Sequence, residues 1–551
     1  MRLLDVHQLN IQFEQENDHV LSEINFSIDE GERLLLLGPS GCGKSTLTYA
    51  LNGIYPRELD GMMTGEIKFR DIPVESYFPG EMSQHVGVVF QDPESQFCMI
   101  TVEDEVAFGL ENINTPVERI SARIDYALQL VGLKGVRQRS IQTLSGGQKQ
   151  KLALACVLAM EPELLILDEP TANLDPIATR DFIQTIEILQ KEKGFALLVI
   201  EHQLDGWVSF IERGLMINRS GGIFYDGPIR HGMAMHSRTL QSQGIAMPAV
   251  TELVMESGWL HQCEYFPLTV HDVITGWKGS KEQVMLSSLA KESLPPSTIL
   301  QLSSISWSKS NTRIISGVSM QIRKGEFIAI IGGNGSGKTS LSRVMAGLQM
   351  PTEGECLFHG KPLSSWKEID LRQHIGYVFQ NPEHQLIADT VFEEIAFSLR
   401  IQDIDERKID QQVREVLNMC QLEGVAERHP YTLSQGQKRR LSVATMIVEH
   451  QDLLILDEPT FGQDAQSTKQ LMNLLAQRQK SGATIVMVTH DMELVDEYAD
   501  RAFVVHEGEV VADGHPHHLW RDHSLAKWQL QYPVRVQLQQ QMEKEGLYVS
   551  S

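Results

Sequence analysis

Residues 144–175 read LSGGQKQKLALACVLAMEPELLILDEPTANLD, and this stretch predicts three consecutive elements. A glycine-bearing turn covers residues 144–148. An apolar helix follows over residues 150–160 and ends before Pro162, because the residue preceding a proline disfavours helical dihedrals. The apolar run 164–167 is typical of a strand buried on both faces of a parallel sheet. Asp168 and Glu169 come directly after it, at the strand end where open α/β sheets bind ligands.

The same pattern occurs a second time further along the chain. Residues 433–464 read LSQGQKRRLSVATMIVEHQDLLILDEPTFGQD. The offset from Asp168 to Asp457 is 289 positions, and the offset from Ser145 to Ser434 is also 289. A repeat of this length indicates a duplicated domain rather than a solenoid of short units.

Composition and charge narrow the function classes. The 551-residue chain is 42% apolar, enough for full cores, and its net charge of −24 disfavours nucleic-acid binding, because phosphate neutralisation needs clustered Lys and Arg. The six cysteines form no CxxC pair, so we expect neither disulfides nor a zinc site. The N-terminal MRLLDVHQLN lacks the apolar core of a signal peptide, and no run approaches the roughly 18 apolar residues of a membrane span. We therefore expect other chains to hold this one at any membrane where it works.

Each repeat contains a glycine-rich loop upstream of its acidic pair. GPSGCGKS at 38–45 and GGNGSGKT at 332–339 match the P-loop pattern GxxxxGK[ST], and the first follows the apolar run RLLLL. Backbone N–H groups of such a loop surround phosphate oxygens, and Lys44 or Lys338 reaches the outer phosphates. The hydroxyl of Ser45 or Thr339 can bind Mg²⁺.

Further polar residues follow in the same order in both repeats: a glutamine after a strand, the LSGGQ or LSQGQ turn, the acidic pair and a histidine. This series resembles the nucleotide-binding subunits of ABC transporters, and the resemblance covers both halves. It implies an α/β fold with two tandem ABC-type P-loop NTPase domains. Each has a RecA-like mixed or parallel sheet core, an antiparallel β subdomain and a helical subdomain. It also implies ATP and Mg²⁺ as ligands and pairing of the two halves in cis, head to tail.

The resemblance also implies roles for individual residues. Glu169 and Glu458 polarise the attacking water, and His202 and His490 are the γ-phosphate switches. The Mg²⁺ site takes Ser45, Gln91 and Asp168 in the first half and Thr339, Gln380 and Asp457 in the second. The serine and glycines of each signature (144–148 and 433–437) cap ATP held by the opposite half. The full nucleotide-binding set is Phe13, Gly38, Ser40, Gly41, Gly43, Lys44, Ser45, Thr46, Ser145, Gly147, Trp307, Gly332, Asn334, Gly335, Gly337, Lys338, Thr339, Ser340, Ser434 and Gly436.

Two features of this set leave alternatives open. Phe13 and Trp307 each lie 31 residues before the P-loop lysine. ABC subunits often stack adenine on an aromatic there, but an aromatic on a strand is also common in a core. In the second repeat Gln435 replaces the first signature glycine, and Gly462-Gln463-Asp464 replaces Asn173-Leu174-Asp175. Both glutamates and both histidines remain, so we expect two hydrolysing sites, and these departures leave open whether the two hydrolyse ATP equally.

The predicted domain boundaries place the two ABC domains at 1–228 and 298–515. Residues 229–297 carry five Lys or Arg and six Asp or Glu, and we interpret them as a small packing subdomain and tether. Helices are expected near 248–260 and 270–277, and LPPST at 294–298 is a linker signal. The tail at 516–551 contains the Gln-rich stretch VQLQQQMEKEG and is interpreted as a solvated surface helix.

Tandem ABC units in one chain occur in at least three families. ABC-type translation factors join their units by a long, usually basic arm, which the near-neutral segment 229–297 does not match. Sugar-importer ATPases of the ribose type usually carry one degraded site, whereas both P-loops are intact here. The third family is the energy-coupling-factor (ECF) importers of vitamins and metal ions. A clamp acting on RNA or the ribosome and a fused sugar-importer ATPase remain as alternatives.

The residues after each glutamine favour the ECF type. QDPESQF at 91–97 and QNPEHQL at 380–386 share QxPExQ and a following apolar residue. They resemble ECF ATPases, in which the next helix docks the transmembrane T component. This implies docking near Phe97 and Leu386, although both residues could instead belong to the core. We expect T and substrate-binding S components as partners, no nucleic acid, and a peripheral position on the cytoplasmic face of the membrane. By analogy with fused ECF ATPases, the substrate is hydroxymethylpyrimidine or thiamine.

Overall fold

The computed structural model describes residues 1–13, 19–59, 61–78, 80–279, 297–310, 312–402, 404–449, 451–460, 463–521 and 525–547. The chain forms two compact units, one made mostly of residues 1–280 and the other mostly of residues 281–551. The side chain of Gln435, residue Gly462 and most of the predicted linker signal at 294–298 lie outside the described parts.

The first unit begins with antiparallel strands and continues with alternating strands and helices. Its elements are β1 (Arg2–Phe13), β2 (Leu21–Asp29), β3 (Arg33–Leu37), α1 (Lys44–Leu51), β4 (Gly61–Phe69), β5 (Ile72–Pro73), α2 (Met82–His85), β6 (Val86–Val89), α3 (Val102–Asn112), α4 (Val117–Leu130), α5 (Gly146–Ala159), β7 (Leu164–Asp168), α6 (Pro176–Lys193), β8 (Ala196–Ile200), β9 (Arg213–Ile217), β10 (Ile223–Pro228), α7 (Ile229–Gln243), α8 (Ala249–Glu256) and α9 (Val270–Gly276).

The second unit repeats this order and ends in further helices. Its elements are β11 (Thr298–Lys309), β12 (Thr312–Arg323), β13 (Phe327–Ile331), α10 (Lys338–Met345), β14 (Glu353–Phe358), β15 (Lys361–Pro362), α11 (Glu368–His374), β16 (Ile375–Val378), α12 (Val391–Ile401), α13 (Glu406–Met419), α14 (Gln435–Ile447), β17 (Leu453–Asp457), α15 (Ala465–Lys480), β18 (Thr484–Val488), α16 (Met492–Tyr498), β19 (Arg501–His506), β20 (Glu509–Gly514), α17 (Pro516–Leu519) and α18 (Val534–Lys544).

Two sheets form the frame of each unit. The six-stranded sheet of the first unit has the order β10-β9-β3-β8-β7-β6, and all of its neighbouring pairs are parallel except β10 with β9. The second unit has the matching order β20-β19-β13-β18-β17-β16. A four-stranded antiparallel sheet, β2-β1-β4-β5 or β12-β11-β14-β15, accompanies each. The predicted fold class is thereby confirmed.

Burial follows the apolar pattern of the sequence. All five residues of β7 and of β17 are buried, as expected for strands with helices on both sides. Apolar residues of α3, α4 and α5 share one buried cluster with the sheet of the first unit, and α12, α13 and α14 do the same in the second. These three helices form the helical part of each unit. Met233, Leu240 and Leu268, from the segment after β10, join the same cluster in the first unit.

Two sequence predictions about helices were wrong in part. The helix predicted over 150–160 begins at Gly146, so the signature glycines lie in its first turn and only Leu144 and Ser145 of the signature precede it. The Gln-rich tail does form a helix, α18, but it is not fully solvated, because Val534, Val536, Leu538 and Met542 are buried. Val536 belongs to a cluster with β13 and β19, so one face of the tail helix packs on the second unit.

Candidate functional site

The P-loop of each unit joins the central strand of the six-stranded sheet to a helix. Residues 38–43 connect β3 to α1, which begins with Lys44 and Ser45, and residues 332–337 connect β13 to α10, which begins with Lys338 and Thr339. Gly43 and Gly337 precede these helices with φ of 94° and 102°, values that favour glycine. The predicted nucleotide-binding residues of each P-loop therefore lie in one strand-to-helix turn and in the first turn of the helix that follows; they include Ser40, Gly41, Thr46, Asn334, Gly335 and Ser340.

The P-loop lysines are buried and bonded to their own loops. Lys44 Nζ donates to the carbonyls of Gly38 and Pro39 at 2.8 and 3.0 Å. Lys338 makes the equivalent pair of hydrogen bonds, at 2.7 and 2.9 Å, to the first two carbonyls of its loop. The two ammonium groups thus occupy corresponding positions beside the loop backbone.

The first acid of each pair lies at the carboxyl end of its strand, beside a P-loop hydroxyl. Ser45 hydrogen-bonds Asp168, and burial raises the pKa of Asp168 to about 6. Thr339 Oγ1 donates to Asp457 Oδ1 at 3.1 Å, and burial likewise raises the pKa of Asp457. In both units the strand end and the P-loop therefore bring a carboxylate and a hydroxyl into direct contact.

These donors fit a magnesium ion. Mg²⁺ takes oxygen ligands and is usually held by one or two carboxylates together with substrate phosphates. Each unit offers one carboxylate and one hydroxyl in contact, and a bound cation would offset the cost of burying the carboxylate. Within the described ranges no three or more His, Cys, Asp or Glu side chains come together in a way that could hold a metal ion.

The second acid of each pair has an unusual backbone. Glu169 and Glu458 both have φ of 49°, in the left-handed region that non-glycine residues rarely adopt. Such conformations store strain and cluster at functional sites. The repetition of the same conformation in both units shows that the strand end imposes it.

The Glu169 carboxylate lies within a hydrogen-bonded group. Gln91 Nε2 donates to its Oε2 at 2.8 Å, and His202 Nε2 lies 2.9 Å from its Oε1. Burial opposes ionisation, but the bond with His202 outweighs it and lowers the pKa of Glu169. The first unit therefore brings together the predicted glutamine, glutamate and histidine around one ionised carboxylate.

The second unit assembles only part of this group. His490 Nδ1 lies 3.0 Å from Glu458 Oε1. Burial disfavours the charged ring, yet the neighbouring Glu458 raises the pKa of His490. Among the hydrogen bonds of the described residues, Gln380 makes none to Glu458, in contrast to Gln91 and Glu169.

Each signature is a helix start closed by a capping box. Ser145 Oγ accepts from the Gln148 backbone N–H, and the Gln148 side chain accepts from the Ser145 N–H. Ser434 and Gln437 form the same pair at the start of α14. The cap satisfies two backbone donors and leaves the N–H groups of the next two residues unused by it, at the positive end of the helix. This arrangement suits an anion.

The remaining predicted residues have more ordinary surroundings. Phe13 is partly buried and packs edge-on against Tyr55, with ring centroids 6.1 Å apart. Trp307 lies on β11 and is partly buried against the core of the second antiparallel sheet. Asp175 accepts from the Ala178 N–H at 2.9 Å and caps α6.

The sequence analysis missed the residues that hold the segment after each Q-loop glutamine. Gln96 Oε1 accepts from the Phe90 N–H at 3.0 Å, and Lys149 of the signature helix donates to Glu94 at 2.5 Å. Gln385, Glu383 and Lys438 repeat both contacts in the second unit. The shared letters of QxPExQ and the Lys after each signature were the available signal, since together they fasten the loop to the signature helix.

The predicted docking residues need a correction. Leu386 is 5% exposed and belongs to the core, because it packs beneath α12 with Val391 and Ile395. Phe97 is partly buried against the core of the first unit. The most exposed apolar residues here are Ile387, 66% exposed, and Ile100, 77% exposed.

A buried glutamate fixes this exposed segment in each unit. The Glu105 carboxylate accepts from the backbone N–H groups of Cys98 and Met99 at 2.9 and 2.7 Å. Glu394 does the same for Ile387 and the following residue, at 2.8 and 2.7 Å. In each unit a buried glutamate therefore holds the backbone conformation in which apolar side chains of this segment are exposed.

Comparisons with known proteins identify the family to which the chain is similar. The sequence pattern of the family described as ABC transporter matches residues 21–172 and 315–461. A Bacillus subtilis (strain 168) protein named "Putative HMP/thiamine import ATP-binding protein YkoD" is 43% identical, over 94% of this chain and 92% of its own length. A Methanosarcina mazei protein named "Putative ABC transporter ATP-binding protein" is 35% identical, over 93% and 89%. The solved structure of cbiO1 from Clostridium perfringens, described as part of the ABC transporter complex cbiONQ, is 34% identical and covers 44% of this chain and 99% of its own, with a TM-score of 0.39.

Proposed function

Because this chain belongs to the ABC transporter family, we propose that it is the ATP-hydrolysing subunit of an ECF-type importer. As a member with two ABC domains, the chain is an ATP-binding ATPase. The proposal adds that residues 1–228 and 298–515 are the two ATP-binding domains, and that the chain sits peripherally on the cytoplasmic face of the membrane. None of the helices in the described ranges combines the length and apolarity needed to cross a bilayer.

One observation supports hydrolysis at both sites. Glu169 and Glu458 share the same left-handed backbone, and each lies within hydrogen-bond distance of a histidine. A carboxylate held in this way can accept a hydrogen bond from the attacking water and draw a proton from it. The neighbouring His202 or His490 keeps that carboxylate oriented and is our candidate for the γ-phosphate contact.

The P-loop and the first acid of each pair serve binding. We propose that Lys44 and Lys338 neutralise the outer phosphates, and that Asp168 or Asp457, with Ser45 or Thr339 and the loop glutamines Gln91 and Gln380, hold Mg²⁺. A bound Mg²⁺ would neutralise charge that develops on the transferring phosphoryl group. The role of these protein residues is to position the phosphates of ATP, because phosphoryl transfer relies on alignment and charge stabilisation.

We propose docking to a transmembrane T component at the exposed residues around Ile100 and Ile387, with an S component binding the substrate. The partial exposure of Phe108 and Phe397, at equivalent positions of α3 and α12, extends the apolar surface in both units. The substrate proposed is hydroxymethylpyrimidine or thiamine. It rests on the name of the Bacillus subtilis relative, which matches nearly the whole chain.

The double change Glu169→Gln with Glu458→Gln tests the hydrolysis step. Each replacement keeps the size of the side chain and removes its charge, so the protein should bind ATP normally but hydrolyse it at least about 10²-fold more slowly. Steady-state phosphate release and equilibrium binding of labelled ATP measure the two properties. The control variant, Glu118→Gln with Glu423→Gln, changes two exposed acids and should keep normal turnover. Near-normal hydrolysis in the first variant contradicts the assignment.

A further inference from the structure

The loop that carries Gln380 is held by a buried arginine. Arg439 lies on α14, the signature helix of the second unit, and is only 3% exposed. Its Nη1 donates to the carbonyl of Phe379 at 2.7 Å, and its Nη2 donates to the carbonyl of Gln380. One planar guanidinium thus holds two successive carbonyls, each through a different nitrogen of its rigid fork.

The same arginine places a positive charge near the catalytic acids. Its charge interacts with the carboxylates of Glu458 and Asp457 in the second unit. A buried guanidinium is costly unless its donors are satisfied, and here the two carbonyls and the nearby acids offset part of that cost, although burial still lowers the pKa of Arg439 to about 10. Arg439 therefore connects the signature helix, the loop glutamine and the acidic pair.

In the first unit a different residue holds the equivalent loop. The position equivalent to Arg439 is Gln150, which is 0% exposed and whose two amide atoms have no hydrogen-bond partner among the described residues. Instead, Asn173 Nδ2 donates to the carbonyl of Gln91 at 2.9 Å. Asn173 lies between β7 and α6, four residues after Glu169. At the equivalent position the second repeat has Gly462, which carries no side chain.

We propose that Arg439 and Asn173 are the positioning residues of the two Q-loops, each clamping the backbone carbonyl of the loop glutamine. The second loop is thereby fastened to its signature helix, and the first loop to the segment that follows its catalytic glutamate. In the first unit the clamped glutamine, Gln91, also donates to Glu169. This inference rests on the proposed role of Gln91 and Gln380 in the ATP sites, but the clamp itself can be measured without nucleotide.

Hydrogen exchange of the full-length protein, without nucleotide, tests the clamp directly. Hydrogen bonds from charged donors are the stronger ones, so Arg439→Gln should speed amide exchange of peptides covering 376–388 by about 10-fold. The amide exchange rate of peptides covering 87–99 should be unchanged in this variant. Asn173→Ala should give the opposite pattern, with a smaller rise of about 3-fold because its donor is neutral.

A rescue variant in the first unit distinguishes loss of loop positioning from a general loss of stability. Adding Gln150→Arg to Asn173→Ala introduces the second unit's clamp, and exchange of 87–99 should return to the wild-type rate. Both single variants should lower kcat several-fold and leave KM for ATP within about 2-fold, since the P-loop contacts are intact.

Three outcomes overturn the proposal: unchanged loop exchange, a rise spread evenly through the unit, or failure of Gln150→Arg to restore protection. If Arg439→Gln does not fold, the Asn173→Ala and rescue variants decide alone. Altered loop exchange with unchanged ATP turnover supports the clamp and counts instead against the proposed role of the loop glutamines, so the two failures remain distinguishable.

Discussion

Glu201 is a buried acid in the first unit that has no counterpart in the second. It precedes His202, whereas Thr489 precedes His490. Its carboxylate accepts from the Thr171 N–H at 3.0 Å, from the Thr171 hydroxyl at 2.5 Å and from the His202 N–H at 3.0 Å. It thereby joins the segment after Glu169 to the histidine loop. Burial raises the pKa of Glu201 from 4.5 to about 7.

This shift predicts a pH dependence of stability. Because the folded pKa lies above the unfolded one, the stabilising contribution is complete below about pH 4.5 and is lost as the pH rises through about 7. Glu201→Gln cannot ionise, so its melting temperature should fall less between pH 5 and pH 8 than that of the wild type. Calorimetry at both pH values measures the difference. Glu118→Gln, at an exposed position, should keep the wild-type dependence, and equal slopes for all three proteins contradict the prediction.

Gly146 explains how the second signature tolerates a glutamine. A Cβ added to Gly146 would lie 3.6 Å from the Asn173 carbonyl, an ordinary contact. The residue is exposed and already helical, so nothing in its backbone demands glycine. The signature donors that we propose for ATP are backbone N–H groups, which any residue except proline supplies.

Gly146→Gln should therefore be mild. Glycine is about 1 kcal/mol less favourable than other residues within a helix, so the variant should be equally stable or more stable by up to about that amount. ATP turnover should stay within about 3-fold. Ser145→Ala removes the capping oxygen and should cost about 1 kcal/mol. Thermal unfolding and phosphate release measure both variants, and loss of folding in Gly146→Gln counts against this account.

The segments after the two Q-loops show what the sequence could and could not reveal. Leu386 and Ile387 are adjacent apolar residues, yet one is core and the other solvent-exposed. The difference arises from Glu394, which captures the backbone N–H of Ile387 from a helix further along the chain. Periodicity cannot report such a contact, because it is made between residues of different elements.

By contrast, the P-loops and the acid-bearing strands were predictable. Their chemistry lies in short contiguous stretches whose apolar runs and glycines determine the local structure directly. The start of α5 was misjudged because glycine lowers helix propensity, while the capping box at Ser145 overrides it. The clamps made by Arg439 and Asn173 could not be foreseen, since they join residues 59 to 82 positions apart.

If the chain docks through these segments, a variant should lose binding to the membrane subunits without losing stability. Ile100→Asp with Ile387→Asp places charges on an apolar contact, so co-purification with the membrane subunits should fall at least about 10-fold. Both side chains are exposed, and the stability of the chain should change by less than about 1 kcal/mol. Ile369→Asp, at an exposed site on α11, serves as the control and should leave co-purification intact. Undiminished co-purification of the double variant refutes docking at this surface.

The duplication raises the question of which motifs serve one ATP. If the halves pair head to tail as proposed, Lys44 shares a site with Ser434, and Lys338 shares one with Ser145. The signature helix start then meets a γ-phosphate already held by the P-loop of the other half. Two changes within one site should be non-additive, because a disabled site cannot be disabled again.

Lys44→Ala with Ser434→Arg should therefore retain the activity of the weaker single variant. Lys44→Ala with Ser145→Arg disables both sites and should abolish what each single change leaves. Vanadate trapping of labelled nucleotide, counted per chain, measures the number of working sites directly. If the Lys44/Ser145 pair is the non-additive one, each ATP lies within a single half and the proposed pairing is wrong.

The position of the P-loop strand also has a consequence for synthesis of the chain. In β3, Leu36 pairs with Ile200 and Leu215, so the strand finds its neighbours only after most of the first unit has left the ribosome. The β1–β2 pair, made of nearby residues, can form long before. All strands of the first sheet are made before β13 emerges. The strands of the first sheet can therefore pair with one another before the strands of the second sheet are made. This order protects a duplicated chain from pairing a strand of one repeat with a strand of the other.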